Sequence, residues 1–366
     1  MKTTRVRWTT YRVPFRTPYV TAHGAASVRE GLLVELASDT GLVGLGEAAP
    51  APEEAIAPAA LGRALEALAP RLLLRRPAEL DLASASAAGR AVASALDTAV
   101  SDLLAQARGV SVARLLNEDT ASSVAVNALV TAAATEEAAR AATRAQQAGY
   151  STVKLKVGMA PSPDAERERV AAVREAIGPG VRLRLDANGA WSADQAIETI
   201  RALERFDIEY VEQPVAPGNL EALALVQACV PVTIAADEDV GSLEAARRII
   251  ETGAARVLIL KSQRLGGLRP CRAVIEAAMA AGVRAVVTTS IEAGSGTAAA
   301  LALAATVPGG LAHGLATLDL LADDLILDPG LPIENGRMRL PEGPGLGVRL
   351  DEAALARYAA GWREVG

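Results

Sequence analysis

Two lysines stand two residues apart in Thr152-Val-Lys-Leu-Lys-Val-Gly158, a run that otherwise reads as a short buried strand ending at a turn glycine. Side chains alternate across a strand, so Lys154 and Lys156 share a face, their ammonium groups about 7 Å apart along the chain. A purely structural core disfavours that arrangement. Lysine occurs only at Lys2, Lys154, Lys156 and Lys261, and the rest of the 37 Lys+Arg are arginine. The lysines are therefore the cationic side chains that can release a proton near neutral pH. Asp186 in VRLRLDAN, Glu212 in IEYVEQPV, Asp237 in VTIAADED and Lys261 in ARVLILKS also close β-type runs. Each follows the one before by about 25 to 30 residues, the length of one βα unit.

One acid at a strand end is ordinarily an N-cap for the next helix. Three on consecutive strands, with a lysine on either side, exceed what capping requires. Converging carboxylates raise one another's pKa unless a cation joins them, and hard oxygen donors suit Mg²⁺, with Mn²⁺ as substitute. In an eight-stranded barrel strands two and six are opposite, so Lys156 and Lys261 flank the arc made by Asp186, Glu212 and Asp237. A substrate carboxylate on the metal presents its α-carbon to both lysines. The chemistry is abstraction of a proton α to a carboxylate, with the metal stabilising the enediolate and a neutral lysine as base. Lys154 either lowers the pKa of Lys156 as a neighbouring cation or pairs with a carboxylate inside the barrel. Asn188 is assigned to the metal shell or the substrate, and Arg182 and Arg184 to neutralising interior carboxylates.

The elements that must hold these residues are legible from about residue 123. β-type runs SVAVNALV, TVKLKVG, VRLRLDAN, IEYVEQPV, VTIAADED, ARVLILKS and VRAVVTTS alternate with amphipathic helical stretches, and a weaker eighth run lies at GLAHGL. Ser162-Pro163 is an N-cap followed by proline, and Ser192 to Gln195 has capping-box spacing. The alternation predicts a parallel α/β barrel, and no G-x-G-x-x-G follows the first strand. Residues 1–122 read as a separate α+β domain with a turn at Asp39-Thr40-Gly41, and residues 123–325 as the barrel. Residues 326–366 carry a hairpin turning at Asn335-Gly336 and a terminal helix, and are expected to return to the N-terminal domain.

Bulk composition narrows the function class. A hydrophobic content of 51% with only 3% aromatics predicts a core of Ala, Leu, Val and Ile. A net charge of −6 without a basic run argues against nucleic acid or an anionic membrane as partner. MKTTRVRWTTYRVPF has no apolar signal core and later apolar runs are short, so a cytoplasmic location is expected, and isolated Cys229 and Cys271 fit a reducing compartment. Only His23 and His313 occur, too few for a histidine-rich metal site. The expected partner is a small carboxylate substrate, and the scaffold is compatible with a homo-oligomer.

The set KLKVG, LRLDANGAW, VEQP, AADED, LKSQRLGG and TSIEAGSG resembles the enolase superfamily, in particular its muconate-lactonizing subgroup with a K-x-K motif. The resemblance implies a (β/α)7β TIM-like barrel under an α+β capping domain completed by the C-terminal tail. It implies Mg²⁺ at Asp186, Glu212 and Asp237, acid/base roles for Lys156 and Lys261, and places for Ser290 and Glu292 beside the substrate. Within the subgroup, TAHGAASVREGLLVEL, GEAAP, HGLATLDLLADDL and LPIENGRMRLPEGPGLGV are most similar to the o-succinylbenzoate synthases of menaquinone biosynthesis. That implies a syn dehydration in which Lys156 removes the α proton and Lys261 stabilises charge. N-acylamino-acid racemases, dipeptide epimerases and muconate-type cycloisomerases are the alternatives. Dipeptide epimerases usually carry Asp-x-Asp near the eighth strand, where LATLD offers only Asp319. Asp239 replaces the commoner serine of a DES ending, and the loop Thr21 to Gly24 is expected over the site.

Overall fold

A computed structural model of the chain describes all residues except 22–23, 76–81, 83–85 and 328–329. Two of the four positions in the loop expected over the site, Ala22 and His23, therefore lie outside the described residues. The N-terminal part opens with an antiparallel meander of β1 (Thr3–Thr21), β2 (Gly24–Ser38) and β3 (Val43–Ala48). Helices Pro58–Leu72 and Ala87–Arg108 follow and share a core with the sheet. The second helix packs closely on β3, where a Cβ at Gly46 would lie 1.9 Å from the Ala95 carbonyl oxygen. Glycine is thus required there by close approach of two backbones.

β4 (Ser123–Ala125) precedes seven parallel strands: β5 (Ala128–Val130), β6 (Thr152–Lys156), β7 (Arg182–Asp186), β8 (Ile208–Glu212), β9 (Ile234–Ala236), β10 (Val257–Leu260) and β11 (Arg284–Val287). They pair in sequence order, β5 to β11. The weak eighth run forms no extended strand; parallel bridges Thr288 to Gly314 and Val126 to His313 close the circle instead. The architecture is a TIM-like (β/α)7β barrel beneath an α+β cap. Ser162 caps the helix Pro163–Ile177, and Ser192 with Gln195 forms a full capping box.

The tail divides. β12 (Ile333–Glu334) and β13 (Arg337–Arg339) turn at Asn335 and Gly336, both at positive φ, and β13 pairs with β4, so the hairpin stays on the barrel. β14 (Arg363–Val365) joins the cap sheet, antiparallel to Val6–Trp8 of β1, Ala359 bridges Tyr11 of the same strand, and the Leu346 N–H donates to Asp102 of the cap. The tail thus completes the cap, as expected, while its hairpin stops on the way at β4. The hairpin's strands are too short to stand alone and find a partner in β4. Among the described residues no helix is long and apolar enough to cross a membrane.

Candidate active site

Parallel register brings the expected residues together. β6 against β7 sets Lys156 opposite Asp186, and β7 against β8 sets Asp186 opposite Glu212. Asp186, Glu212 and Asp237 are each 1% exposed. Lys154 Nζ lies 2.7 Å from both Asp186 Oδ2 and Glu212 Oε1, bridging them. Lys156 Nζ donates to Asp186 Oδ2 at 2.7 Å and to Asn188 Oδ1 at 2.5 Å. Across the barrel Lys261 Nζ donates to Asp237 Oδ2 at 2.5 Å, and Arg264 reaches Asp237 Oδ1 at 2.8 Å.

Electrostatics follow from burial and these pairs. Burial raises the Asp186 carboxyl, but Lys154 and Lys156 overcome it and hold it well below the carboxylate range. Asp237 is depressed in the same way, by Lys261 and Arg264. Glu212 goes the other way, pushed up to about 8 by burial and by the charges of Asp186 and Asp237, against the pull of Lys154. For Lys156, burial and Lys154 both lower the pKa, yet Asp186, Tyr19 and Glu212 outweigh them and leave it raised. The depression expected from Lys154 is thus present as a contribution but not as the net result, because a carboxylate touches Lys156 directly. A divalent cation among these carboxylates would offset the charge that keeps the lysine protonated.

Among the described residues no three acidic, histidine or cysteine side chains form a ready-made metal cluster, since lysines stand between the carboxylates. The donor chemistry nevertheless fits a hard divalent cation: three buried carboxylates converge, and Glu212 Oε2 is buried without a hydrogen-bond partner. Asn188 sits at φ 45°, a left-handed position that asparagine tolerates. Its amide spans the site, accepting from Lys156 and donating to Glu238 Oε1 at 3.1 Å.

The wall above the lysines comes from the loop after β11 and from the cap. Thr289, Ser290 and Ile291 line the cavity together with Tyr19 and Glu53 of the cap. Glu292, expected beside the substrate, is fully buried outside the cavity lining and accepts from the Ser290 N–H at 2.5 Å. Burial and the neighbouring Glu47 push its carboxyl up to about 7. Asp239 is a loop staple, accepting from Gln213 Nε2 at 2.8 Å and from the Gly218 N–H at 2.6 Å. Gln213 in turn accepts from the Asp237 N–H at 3.0 Å, which joins the loops carrying two of the carboxylates. Arg182 and Arg184 pair with Glu209, away from the site carboxylates.

Sequence reasoning missed Tyr19 and Glu53, which approach from another domain. It also missed Arg169 and Glu166, an i,i+3 ion pair on the helix Pro163–Ile177. Both are buried: Arg169 donates to the carbonyls of Ala132 and Lys156, and Glu166 accepts from the Gly158 N–H at 2.7 Å, fixing the turn behind Lys156.

Comparison with known proteins matches this geometry to a family. Residues 3–117 fit the mandelate racemase / muconate lactonizing enzyme N-terminal domain, and residues 136–354 fit the enolase C-terminal domain-like family. The chain belongs to the enolase superfamily. An o-succinylbenzoate synthase of Thermobifida fusca (strain YX) is 42% identical over 252 residues, 66% of this chain and 77% of that protein. Muconate cycloisomerase 1 of Rhodococcus opacus is 34% identical over 281 residues, 76% of this chain and 74% of the relative. A dipeptide epimerase of Enterococcus faecalis V583, solved with Mg and the dipeptide L-Leu-L-Tyr, superposes with a TM-score of 0.88 at 27% identity, covering 95% of this chain and 99% of the other. This superfamily member thus has synthase, cycloisomerase and epimerase relatives.

Proposed function

We propose that the chain is an o-succinylbenzoate synthase of menaquinone biosynthesis, dehydrating 2-succinyl-6-hydroxy-2,4-cyclohexadiene-1-carboxylate. Its similarity to the Thermobifida fusca synthase supports this choice over the other superfamily reactions. The observation that carries it is a cavity with Lys156 and Lys261 on opposite strands and no acid contributed by the eighth run among the described residues that line it. Asp319 is exposed and outside that lining, so nothing there resembles a holder for a dipeptide's ammonium group.

Asp186, Glu212 and Asp237 would hold Mg²⁺, or Mn²⁺ in its place, and the bound ion would supply Lewis-acid stabilisation of charge on the substrate carboxylate. Lys156 takes the α proton. The ring C–O bond then breaks, the same lysine returns the proton to the departing hydroxyl, and water leaves as the ring becomes aromatic. Asn188 orients Lys156 through the 2.5 Å contact. Lys261, anchored on Asp237, presents its ammonium to the opposite face of the developing anion.

The lysines are therefore unequal, and arginine substitution separates their roles, because guanidinium keeps the charge and does not give up its proton. Lys156→Arg is expected to lose nearly all dehydration and Lys261→Arg to retain a measurable rate. The complementary assay incubates the wild-type enzyme in D₂O with N-succinyl amino acids. Rapid α-deuterium incorporation with inversion, and no dehydration of the cyclohexadiene, would make Lys261 a second base and the protein a racemase.

A further inference from the structure

β3 stands at one end of the cap sheet, with no strand beyond it among the described residues. Backbone groups of Val43, Leu45, Glu47 and Ala49 on that edge are nevertheless bonded, because side chains take the place of a neighbouring strand. From the helix Ala87–Arg108, Gln106 Nε2 donates to the Val43 carbonyl at 2.8 Å and Asp102 Oδ2 accepts from the Leu45 N–H at 2.9 Å. The next two groups are met from the barrel. Gln263 Nε2 donates to the Glu47 carbonyl at 2.9 Å, and its Oε1 accepts from the Ala49 N–H at 2.9 Å. One side-chain amide thus bonds residues two apart, as the backbone of a parallel strand would.

Gln263 is 4% exposed and belongs to the helical turn Ser262–Leu265, which begins immediately after Lys261. The N–H groups of Arg264 and Leu265 bond back to the Lys261 carbonyl at 3.1 and 3.0 Å. Arg264 Nη1 also reaches the Asp237 carbonyl at 2.9 Å and Asp237 Oδ1 at 2.8 Å. A displacement of Gln263 is therefore passed through this turn to Lys261. The cap side is held independently. Arg29 of β2 donates to the carbonyls of Ala49 and Pro50 at 2.5 and 2.8 Å, just before Ala51, Pro52 and Glu53 enter the cavity wall. The cap is the fixed partner, and the turn is what its edge aligns.

We propose that Gln263 is a positioning residue, which registers the turn carrying Lys261 against the edge of β3 and so sets where the ammonium group stands in the cavity. The inference rests on Lys261 facing the substrate, as in the reading under Proposed function, and applies to dehydration and to α-proton exchange alike. Lys261 acts on charge that develops in the transition state, so misalignment lowers kcat, while Arg29 keeps the cap wall in place and KM changes less.

The test compares Gln263→Met, which is close in volume and lacks both hydrogen bonds, with Gln106→Met, which removes a bond of the same kind from the same edge without a link to Lys261. Both are assayed as the full, folded chain with saturating Mg²⁺, in whichever reaction the wild type turns over: dehydration of the cyclohexadiene or α-deuterium exchange of an N-succinyl amino acid. Gln263→Met should lose about ten-fold in kcat with KM within about three-fold, and Gln106→Met should keep both. A merely structural role would lower the urea midpoint and leave kcat of the folded enzyme unchanged. Hydrogen exchange read by mass spectrometry should quicken about ten-fold at residues 47–51 and 261–265 in Gln263→Met, and should not change at 261–265 in Gln106→Met. Should Gln263→Met not fold, Gln263→Glu, which at neutral pH keeps the acceptor for Ala49 and loses the donor, takes its place with the same expectations. Turnover of the folded variant within about two-fold of wild type, unchanged exchange at 261–265, or an equal loss of kcat in Gln106→Met would overturn the assignment. If the wild type turns over neither substrate, the proposed function fails, and the exchange comparison alone decides the role of Gln263.

Discussion

Glu47→Gln is a one-atom change whose effect can be worked out from the structure. Glu47, on β3 of the cap and 2% exposed, accepts four hydrogen bonds. Tyr11 Oη at 2.5 Å and the Ala293 N–H at 2.8 Å reach Oε1, while Ser295 Oγ at 2.7 Å and the Gly296 N–H at 2.8 Å reach Oε2. Glutamine keeps the shape but turns one oxygen into a donor. The hydroxyls of Tyr11 and Ser295 can rotate to accept, but neither backbone N–H can. Whichever way the amide flips, one buried N–H is orphaned at about 1–3 kcal/mol, and the remaining bonds lose their charge assistance. In the opposite direction, Glu292 no longer faces a charged Glu47, which relieves part of the strain that with burial pushes its carboxyl up to about 7. The balance is a loss of about 2 kcal/mol, read as a lower urea midpoint at unchanged m-value. Since Ala293 follows the cavity residues Ser290 and Ile291, the KM of the folded variant should rise as well. A variant within about 0.5 kcal/mol of wild type would show that the four contacts do not tie cap to barrel, and the reasoning would fail.

Two further outcomes follow from the buried charges. His313 accepts from the Val287 N–H at 3.0 Å through Nδ1, and burial together with Arg184 pushes its pKa down to about 3. The unfolded chain therefore binds a proton that the native state refuses, so this contribution to stability is complete above about pH 6.5 and falls by up to about 1.4 kcal/mol per pH unit towards pH 3. His313→Asn should flatten the urea midpoint against pH between about 6 and 4 by that slope, and an unchanged slope would remove His313 from the account. At the carboxylates, EDTA should abolish turnover and Mg²⁺ or Mn²⁺ restore it, and Glu212→Gln should weaken Mg²⁺ binding about ten-fold or more in a calorimetric titration. Unchanged affinity in Glu212→Gln would take Glu212 out of the donor set.

The residues at the strand ends were legible because a parallel barrel repeats one unit. Lys156, Asp186, Glu212, Asp237 and Lys261 recur with the βα period, and register then makes them neighbours. Caps and turns at Ser162, Ser192 and Asn335-Gly336 were legible because their chemistry is local. Contacts between domains were not. Tyr19, Glu53 and Glu47 lie far along the chain from the loops they touch, and no periodicity links them. The placement of Glu292 depends on Ile291, held at φ 62° with Arg29 Nε donating to its carbonyl at 2.6 Å, which turns the next side chain away from the cavity. A β-branched residue carries no signal for a left-handed conformation that is imposed from another domain. The sign at Lys156 was likewise out of reach, since it depends on whether a carboxylate or a second ammonium stands nearer.

The pairing of β14 with β1 also constrains the order in which the molecule can be built. The cap sheet takes one edge from a segment that precedes the barrel and its partner from a segment that follows it. On the ribosome, β1 emerges early and must keep that edge without its partner while the barrel strands are synthesised, an exposed template for pairing with other chains. The cap, which precedes the barrel in sequence, is thus completed only by a strand made after the barrel's, a non-local pairing with a high loop-closure cost. Nascent chains halted after the barrel but before residue 363 would hold an open cap sheet over a barrel able to fold, and chaperone dependence should be greatest in that interval.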